Sequence, residues 1–101
     1  MKIKGNFYFL ETEMGGRKTP FRDKYSPQFK LLKDPTMNKI GRFIVEDDIE
    51  VKPGERIELD INLGKLEYFP VFRKHLKVGE QILVLEGVRF IGFGIITEVY
   101  S

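Results

Sequence analysis

Apolar and polar positions alternate with a period of two along most of this chain, and the alternation stops at a few well-marked places. Ile3, Gly5, Phe7 and Phe9 alternate with Lys4, Asn6, Tyr8 and Leu10, which predicts a half-buried strand over residues 3 to 11. A second strand is expected over 28–33, ended by Asp34-Pro35, with a connector over 36–40. Residues 42–46 read as a short strand, Asp47-Asp48 as a polar turn and 49–51 as another alternating piece. Lys52-Pro53-Gly54-Glu55 has proline and glycine where a tight turn wants them. After it, Ile57, Leu59, Ile61 and Leu63 alternate with Glu58, Asp60 and Asn62, the clearest strand in the sequence. Residues 81–85, a Glu86-Gly87 turn and residues 89–100 predict a closing β-hairpin, with Gly92 and Gly94 marking a bend or close packing in its second strand.

Two stretches escape the pattern. Gly15-Gly16 permits positive φ, and Pro20 and Pro27 bar regular ladder pairing, so residues 12–27 are expected to form a long ordered loop. Loops of this length in compact domains tend to carry function. Residues 64–79 allow an extended excursion broken at Pro70 or a short helix over 71–76, and the extended form is the expectation. With no long amphipathic helix and no internal repeat, the pattern predicts an all-β fold, a closed barrel with Greek-key connections.

A length of 101 residues is that of a single domain, residues 1–101, with one core. A hydrophobic share of 42% that includes Phe 9 and Tyr 4 is enough to fill a barrel, and 32% charged residues give it a soluble surface. There is no cysteine, which excludes disulfides and thiolate metal sites. The start is too polar for a signal peptide and no apolar run nears membrane-spanning length, so the expected location is cytoplasmic.

The net charge of +2 hides an uneven distribution. Arg17, Lys18, Arg22, Lys24, Lys30 and Lys33 face one nearby carboxylate, Asp23, whereas seven carboxylates between Glu46 and Asp60 face only Lys52 and Arg56. The chain is expected to be electrostatically two-ended.

Candidate chemistry is sparse. GGRKT fails the phosphate-loop pattern, having neither the required Gly-Lys step nor a following helix. Gly92-Phe93-Gly94 lies inside a strand and has no βαβ unit around it. His75, the sole histidine, stands among Arg73, Lys74 and Lys77, which favours a solvated imidazole over a ligand. Asp47-Asp48 is a turn-forming pair. Without a nucleophile and base pair, the expectation is a protein that is not an enzyme and holds no cofactor or metal.

The basic loop has more to offer. Arg17, Lys18, Arg22 and Lys24, interleaved with Phe21 and Tyr25, can meet phosphates while the aromatics fix the loop. The bland alternative is a solvated cationic face over buried Phe21, Tyr25 and Phe29, with Arg17 paired to a carboxylate of the fold.

GGRKTPF followed by YSPQF closely resembles the third, C-terminal β-barrel domain of elongation factor Tu and related translational GTPases. The similarity extends through residues 2–13, Pro53-Gly54, and residues 79–99 with Gly79, Glu86-Gly87, Arg89, Gly92 and Gly94 in place. It implies a six-stranded antiparallel closed barrel. In the factor that barrel contacts the T-stem backbone of aminoacyl-tRNA, packs on the GTPase domain and meets the nucleotide-exchange factor. The resemblance carries RNA-facing roles onto Arg17, Thr19 and Gln28 in the loop and onto Gly87 in the hairpin turn. Lys18 stands for the usual histidine and keeps a phosphate-seeking cation, whereas Ser26 and Gln81 stand where the family has arginine. With no GTPase sequence before Met1, no nucleotide binding is expected of this chain by itself. Two readings follow: a stand-alone module contacting a tRNA-like backbone through Arg17, Lys18, Thr19, Arg22, Lys24, Gln28 and Gly87, or a protein-interaction module that docks to or mimics translation machinery. Residues 65–77, with Tyr68, Phe69 and Phe72 among charges, are expected to cover surface or to hold a partner.

Overall fold

The computed structural model describes residues 1–100, and the side chains of all of these except 35–37. Seven strands, β1 (Lys2–Phe9), β2 (Gln28–Leu31), β3 (Asp34–Ile40), β4 (Arg42–Ile44), β5 (Arg56–Asn62), β6 (Gln81–Glu86) and β7 (Arg89–Tyr100), form one sheet. Its order is β3-β2-β6-β7-β1-β5-β4, and every pair is antiparallel. The fold class is therefore all-β, with a strongly curled sheet. Its two outermost strands, β3 and β4, are consecutive in the chain and separated only by Gly41. Beyond β2's partnership with β3, Gly41 N donates to Pro27 O at 3.3 Å and Phe43 N to Tyr25 O at 3.0 Å, so the chain just before β2 runs beside β4.

The curl turns the alternation read from the sequence into a single interior. Ile3, Phe7 and Phe9 of β1, Leu59 and Ile61 of β5, Ile82 and Val84 of β6, and Ile91 and Ile96 of β7 all point inward and are buried. Phe43 is the hub: its ring meets Phe7 at 5.2 Å and Phe29 at 5.2 Å edge-on, and lies nearly parallel to Phe21 at 5.3 Å. Burying each such side chain contributes about 1.5–3 kcal/mol, and edge-to-face aromatic pairs add to that. Gly94 is required where β7 crosses β1: a Cβ there would sit 2.5 Å from Phe7 Cδ1 and 2.8 Å from Asn6 O.

Two long connections join strands that are not neighbours. Residues 10–27 leave the end of β1 and residues 63–80 leave the end of β5. Tyr8 pairs with Arg56 while Lys2 pairs with Asn62, so these connections depart from opposite ends of the sheet.

Several expectations are corrected. The strand starting at Gln28 ends at Leu31, and Asp34-Pro35 opens the returning strand β3 instead of closing one. Proline is tolerated there because the β2–β3 register shifts between Lys30 and Leu31, an irregularity that spares some ladder bonds. The expected strand over 42–46 is shorter, and 49–51 supplies only the bridge of Val51 to Phe21. The excursion carries the helix α1 (Pro70–Lys74), the less expected of its two conformations. Pro70 stands in its first turn, where a missing N–H costs nothing, and fully buried Phe72 pins it down. No described helix is long and apolar enough to cross a membrane.

Candidate functional site

Residues 10–27 begin with a single 3₁₀ turn, Thr12–Met14, closed by Gly15 at φ 99°. Glu11 O accepts from both Met14 N and Gly16 N at 2.9 Å. Gly16 packs so closely beneath this turn that a Cβ would lie 1.9 Å from Leu10 O. Thr12 Oγ1 donates to Arg17 O at 2.7 Å, which ties the Arg17 backbone to the turn.

Arg17 is bound up within the fold. Its Nη1 pairs with Glu86 Oε2, its Nε donates to Thr19 O at 3.2 Å and its Nη2 to Thr19 Oγ1 at 3.3 Å. The guanidinium also lies 4.5 Å from the centre of the Tyr25 ring, and the Tyr25 hydroxyl donates to the same Glu86 Oε2 at 2.6 Å. Glu86 thus receives a cation and a phenol together, and the three side chains form one unit. Burial first, and then the Glu86 carboxylate, push the Tyr25 hydroxyl well above its ordinary range, so it stays a donor. Arg89 clamps the hairpin to the loop, with Nε donating to Gly15 O at 3.2 Å and Nη2 to Gly16 O at 2.8 Å.

The aromatics anchor this arrangement from below. Phe21 and Phe29 are buried, Phe21 meets Phe9 at 5.1 Å and Tyr25 at 4.5 Å, and Phe21 N and O exchange bonds with Val51.

Of the residues singled out in the sequence, Arg17, Thr19, Gln28 and Gly87 gather around Glu86 and Tyr25. Gln28 and Gly87 line an open groove of ≈ 250 Å³ with Tyr25, Ile40 and Leu85. Lys18, Thr19 and Lys24 are exposed. Arg22 is drawn the other way, with Nη2 at 2.6 Å from Glu50 Oε1. Beside it Asp23 Oδ1 accepts from Val45 N at 3.0 Å, a bond that holds the Asp23 carboxyl below its usual range. The acidic segment is therefore stitched to the basic loop through Arg22 and Asp23. One pair of opposite charges far apart in sequence, Arg22 and Glu50, thus meets where β4 runs beside the loop.

Sequence reasoning misses Glu86 and Arg89 as the organisers of the site, because locally both read only as parts of the hairpin. Their partners lie 69 and 73–74 residues away, beyond any local pattern.

Among the described residues no group of three or more His, Cys, Asp or Glu side chains is placed to hold a metal ion. A second groove, ≈ 410 Å³, runs along β4 and β5 and is lined by Lys4, Ile44, Glu46, Ile49, Glu58 and Asp60 among others. No protein-family model matches the chain.

Proposed function

We propose that this chain is a non-catalytic binding module of the elongation factor Tu C-terminal type that contacts an RNA backbone, tRNA-like in form, through the loop of residues 15–29. What supports the fold half of this reading is the place of Gly41. Taken as one kinked strand, β3-Gly41-β4 bonds β2 and the preceding residues on one side and β5 on the other, the arrangement that the proposed closed six-stranded barrel with two Greek-key crossovers requires.

The observation that carries the RNA half is the division of labour within the loop. The Glu86–Arg17–Tyr25 unit and the Arg89 clamp hold the backbone rigid, while Lys18 and Lys24 stand exposed at its surface and form no ion pair among the described residues. Rigidly presented cations without protein partners suit phosphates, which position a nucleic acid without reading its bases. Thr19 follows Lys18 in the loop, and Gln28 and Gly87 line the groove beside Tyr25. Arg17, only one-fifth exposed, serves mainly as the loop's internal strut.

A second reading, docking to a protein of the translation machinery, draws on the acidic groove beside β4. Exposed Ile44 and Ile49 are flanked there by Glu46, Glu58 and Asp60, a setting for a cationic, apolar segment.

The deciding experiment is titration of labelled tRNA at two salt concentrations with the wild type and with Lys18→Ala/Lys24→Gly. Lys24 has φ 72°, a left-handed conformation that glycine adopts freely, so the variant removes two charges without straining the loop. Expected are weak binding that falls steeply with salt and a salt slope smaller by about 2 in the variant, nearly one for each phosphate that is no longer neutralised. Absence of binding at low salt, or an unchanged slope, overturns the RNA reading.

A further inference from the structure

Residues 65–74 and the groove beside β4 carry opposite charge, and each sets exposed apolar side chains among its charges. Along the first stretch, Leu66, Phe72 and then Leu76 are buried and Phe69 packs against the core, whereas Lys65, Tyr68, Val71 and Lys74, at every third position, are exposed. Within α1 this step of three keeps Val71 and Lys74 neighbours on the side away from Phe72. Tyr68 is 83% exposed and Val71 51%. Lys65 and Arg73 line one groove of ≈ 560 Å³ with Met1, Leu66 and Glu67. Lys65, Arg73, Lys74 and Lys77 form no ion pair among the described residues, and Glu80, the other carboxylate of this connection, is bound to Lys33. The result is a cationic face with two exposed apolar side chains.

The groove beside β4 is its counterpart. Glu46 and Ile49, closed into a turn by Ile49 N donating to Glu46 O at 3.0 Å, line it together with Ile44, Glu58 and Asp60. Ile44 is 37% exposed and Ile49 38%, and Asp47 and Asp48 stand exposed in the turn between Glu46 and Ile49. Glu46, Asp47 and Asp48 form no ion pair among the described residues.

A nucleic-acid backbone would meet the cations of the face but offers nothing to Val71. The groove offers both parts: carboxylates for Lys65, Arg73 and Lys74, and isoleucines for Tyr68 and Val71. The two grooves share no lining residue, so one copy can use both surfaces at once. Face against face, or groove against groove, would set like charges together, which repulsion opposes. Face against groove is a heterologous contact, which passes from copy to copy unless it closes a ring.

We propose that copies of this chain associate head to tail, the cationic face of residues 65–74 of one copy docking in the acidic groove beside β4 of the next. The proposal rests on the groove reading given above, for which it names the cationic, apolar partner, and it is independent of the RNA reading.

The test is sedimentation velocity across a concentration series. The average mass of the wild type should rise past that of a dimer at low salt and fall back towards the monomer at high salt, where ion pairs are screened. Lys65→Gln/Tyr68→Ser/Lys74→Gln alters the face and Glu46→Gln/Asp47→Asn/Ile49→Ser alters the groove, and each should weaken self-association at least about tenfold. Mixed together, the two variants should form a complex that stops at one copy of each, since only one intact face and one intact groove remain. All six side chains are exposed, and thermal melts check that the fold is intact. Should either variant melt early, Lys65→Gln/Lys74→Gln and Glu46→Gln/Asp47→Asn, which leave the apolar positions alone, give the same test.

A wild type that stays monomeric up to about 1 mM, a range that reveals even weak contacts, overturns the proposal. So does self-association that either variant retains, or a mixture that forms no one-to-one complex. The groove reading is judged apart from this, with a peptide of alternating lysine and leucine. Binding that is lost in Glu46→Gln/Asp47→Asn/Ile49→Ser keeps the groove as a site for another protein's cationic segment even where self-association fails, and no binding by the wild type sinks both. None of these substitutions touches Lys18 or Lys24, so the tRNA titration judges the loop separately.

Discussion

The two long connections are the same length, eighteen residues each, and leave opposite ends of the sheet, yet they are held by different forces. Residues 10–27 depend on polar geometry. Glu86 gathers Arg17 and Tyr25, Arg89 holds two carbonyls, and Asp23 holds Val45, with Phe21 the main apolar anchor. Residues 63–80 are held by an apolar plug, Leu63, Leu66, Phe72 and Leu76, all buried, while Tyr68 and Val71 stay exposed. Directional bonds fix the backbone in one shape. Apolar burial is non-directional and fixes only that the segment covers the end of the core. The connection proposed to present side chains to RNA is the polar one.

Breaking the plug should give the largest effect. Phe72→Ala empties a fully buried site under α1 and is expected to destabilise the protein by about 3–5 kcal/mol, read as a lower urea midpoint. On the proposed function, tRNA binding by the folded fraction should match that of the wild type, because the loop lies at the other end. A drop in affinity of the folded protein would show that the two connections are coupled.

Breaking the polar unit should cost less in stability and more in binding. Glu86→Ala leaves a half-buried guanidinium and a phenol without their acceptor, with an expected loss of about 2–3 kcal/mol. Exchange of the Gly15 and Gly16 amides should speed up in this variant and stay slow in Phe72→Ala under native conditions. Wild-type protection in Glu86→Ala would mean that Arg89 and the aromatics suffice to hold the loop.

The same contrast explains what could be read in advance. Strand β5 was legible because Ile57, Leu59 and Ile61 state its period locally, and the loop was legible because Gly15-Gly16, Pro20 and Pro27 forbid a ladder there. The β3 strand was not, since Asp34-Pro35 is a common stop signal and only the pairing with β2 overrules it. Helix α1 was not, since a five-residue helix has too few turns to show a period, and its formation rests on Phe72 finding the core. At the site, the sequence marked the exposed cations but left the role of Arg17 open between phosphate contact and internal pairing. Its pairing with Glu86 is set by the β6–β7 hairpin reaching the loop, a tertiary fact with no local trace.

The smallest effect sharpens the comparison from the polar side. The Tyr25 hydroxyl is held above its ordinary range by burial and by Glu86, with Arg17 opposing. A group whose folded-state value is raised contributes stability that is complete below its unfolded value, about pH 10 for tyrosine, and is lost as pH climbs towards the folded value. Wild-type stability should therefore fall as pH rises above about 10, and Tyr25→Phe, though less stable at neutral pH by about 1 kcal/mol for the lost hydrogen bond, should fall less steeply there. Lysine deprotonation and Tyr100, also raised, act equally in both proteins, so the difference in slope isolates Tyr25. Urea unfolding across this range decides it: parallel alkaline limbs would mean that the phenol titrates as it does in the unfolded chain and that Glu86 binds Arg17 alone. A shallower limb in Tyr25→Phe would place the phenol inside the unit that keeps the loop in one shape, a dependence on pH that the apolar connection at the other end, with no tyrosine in its plug, has no means to share.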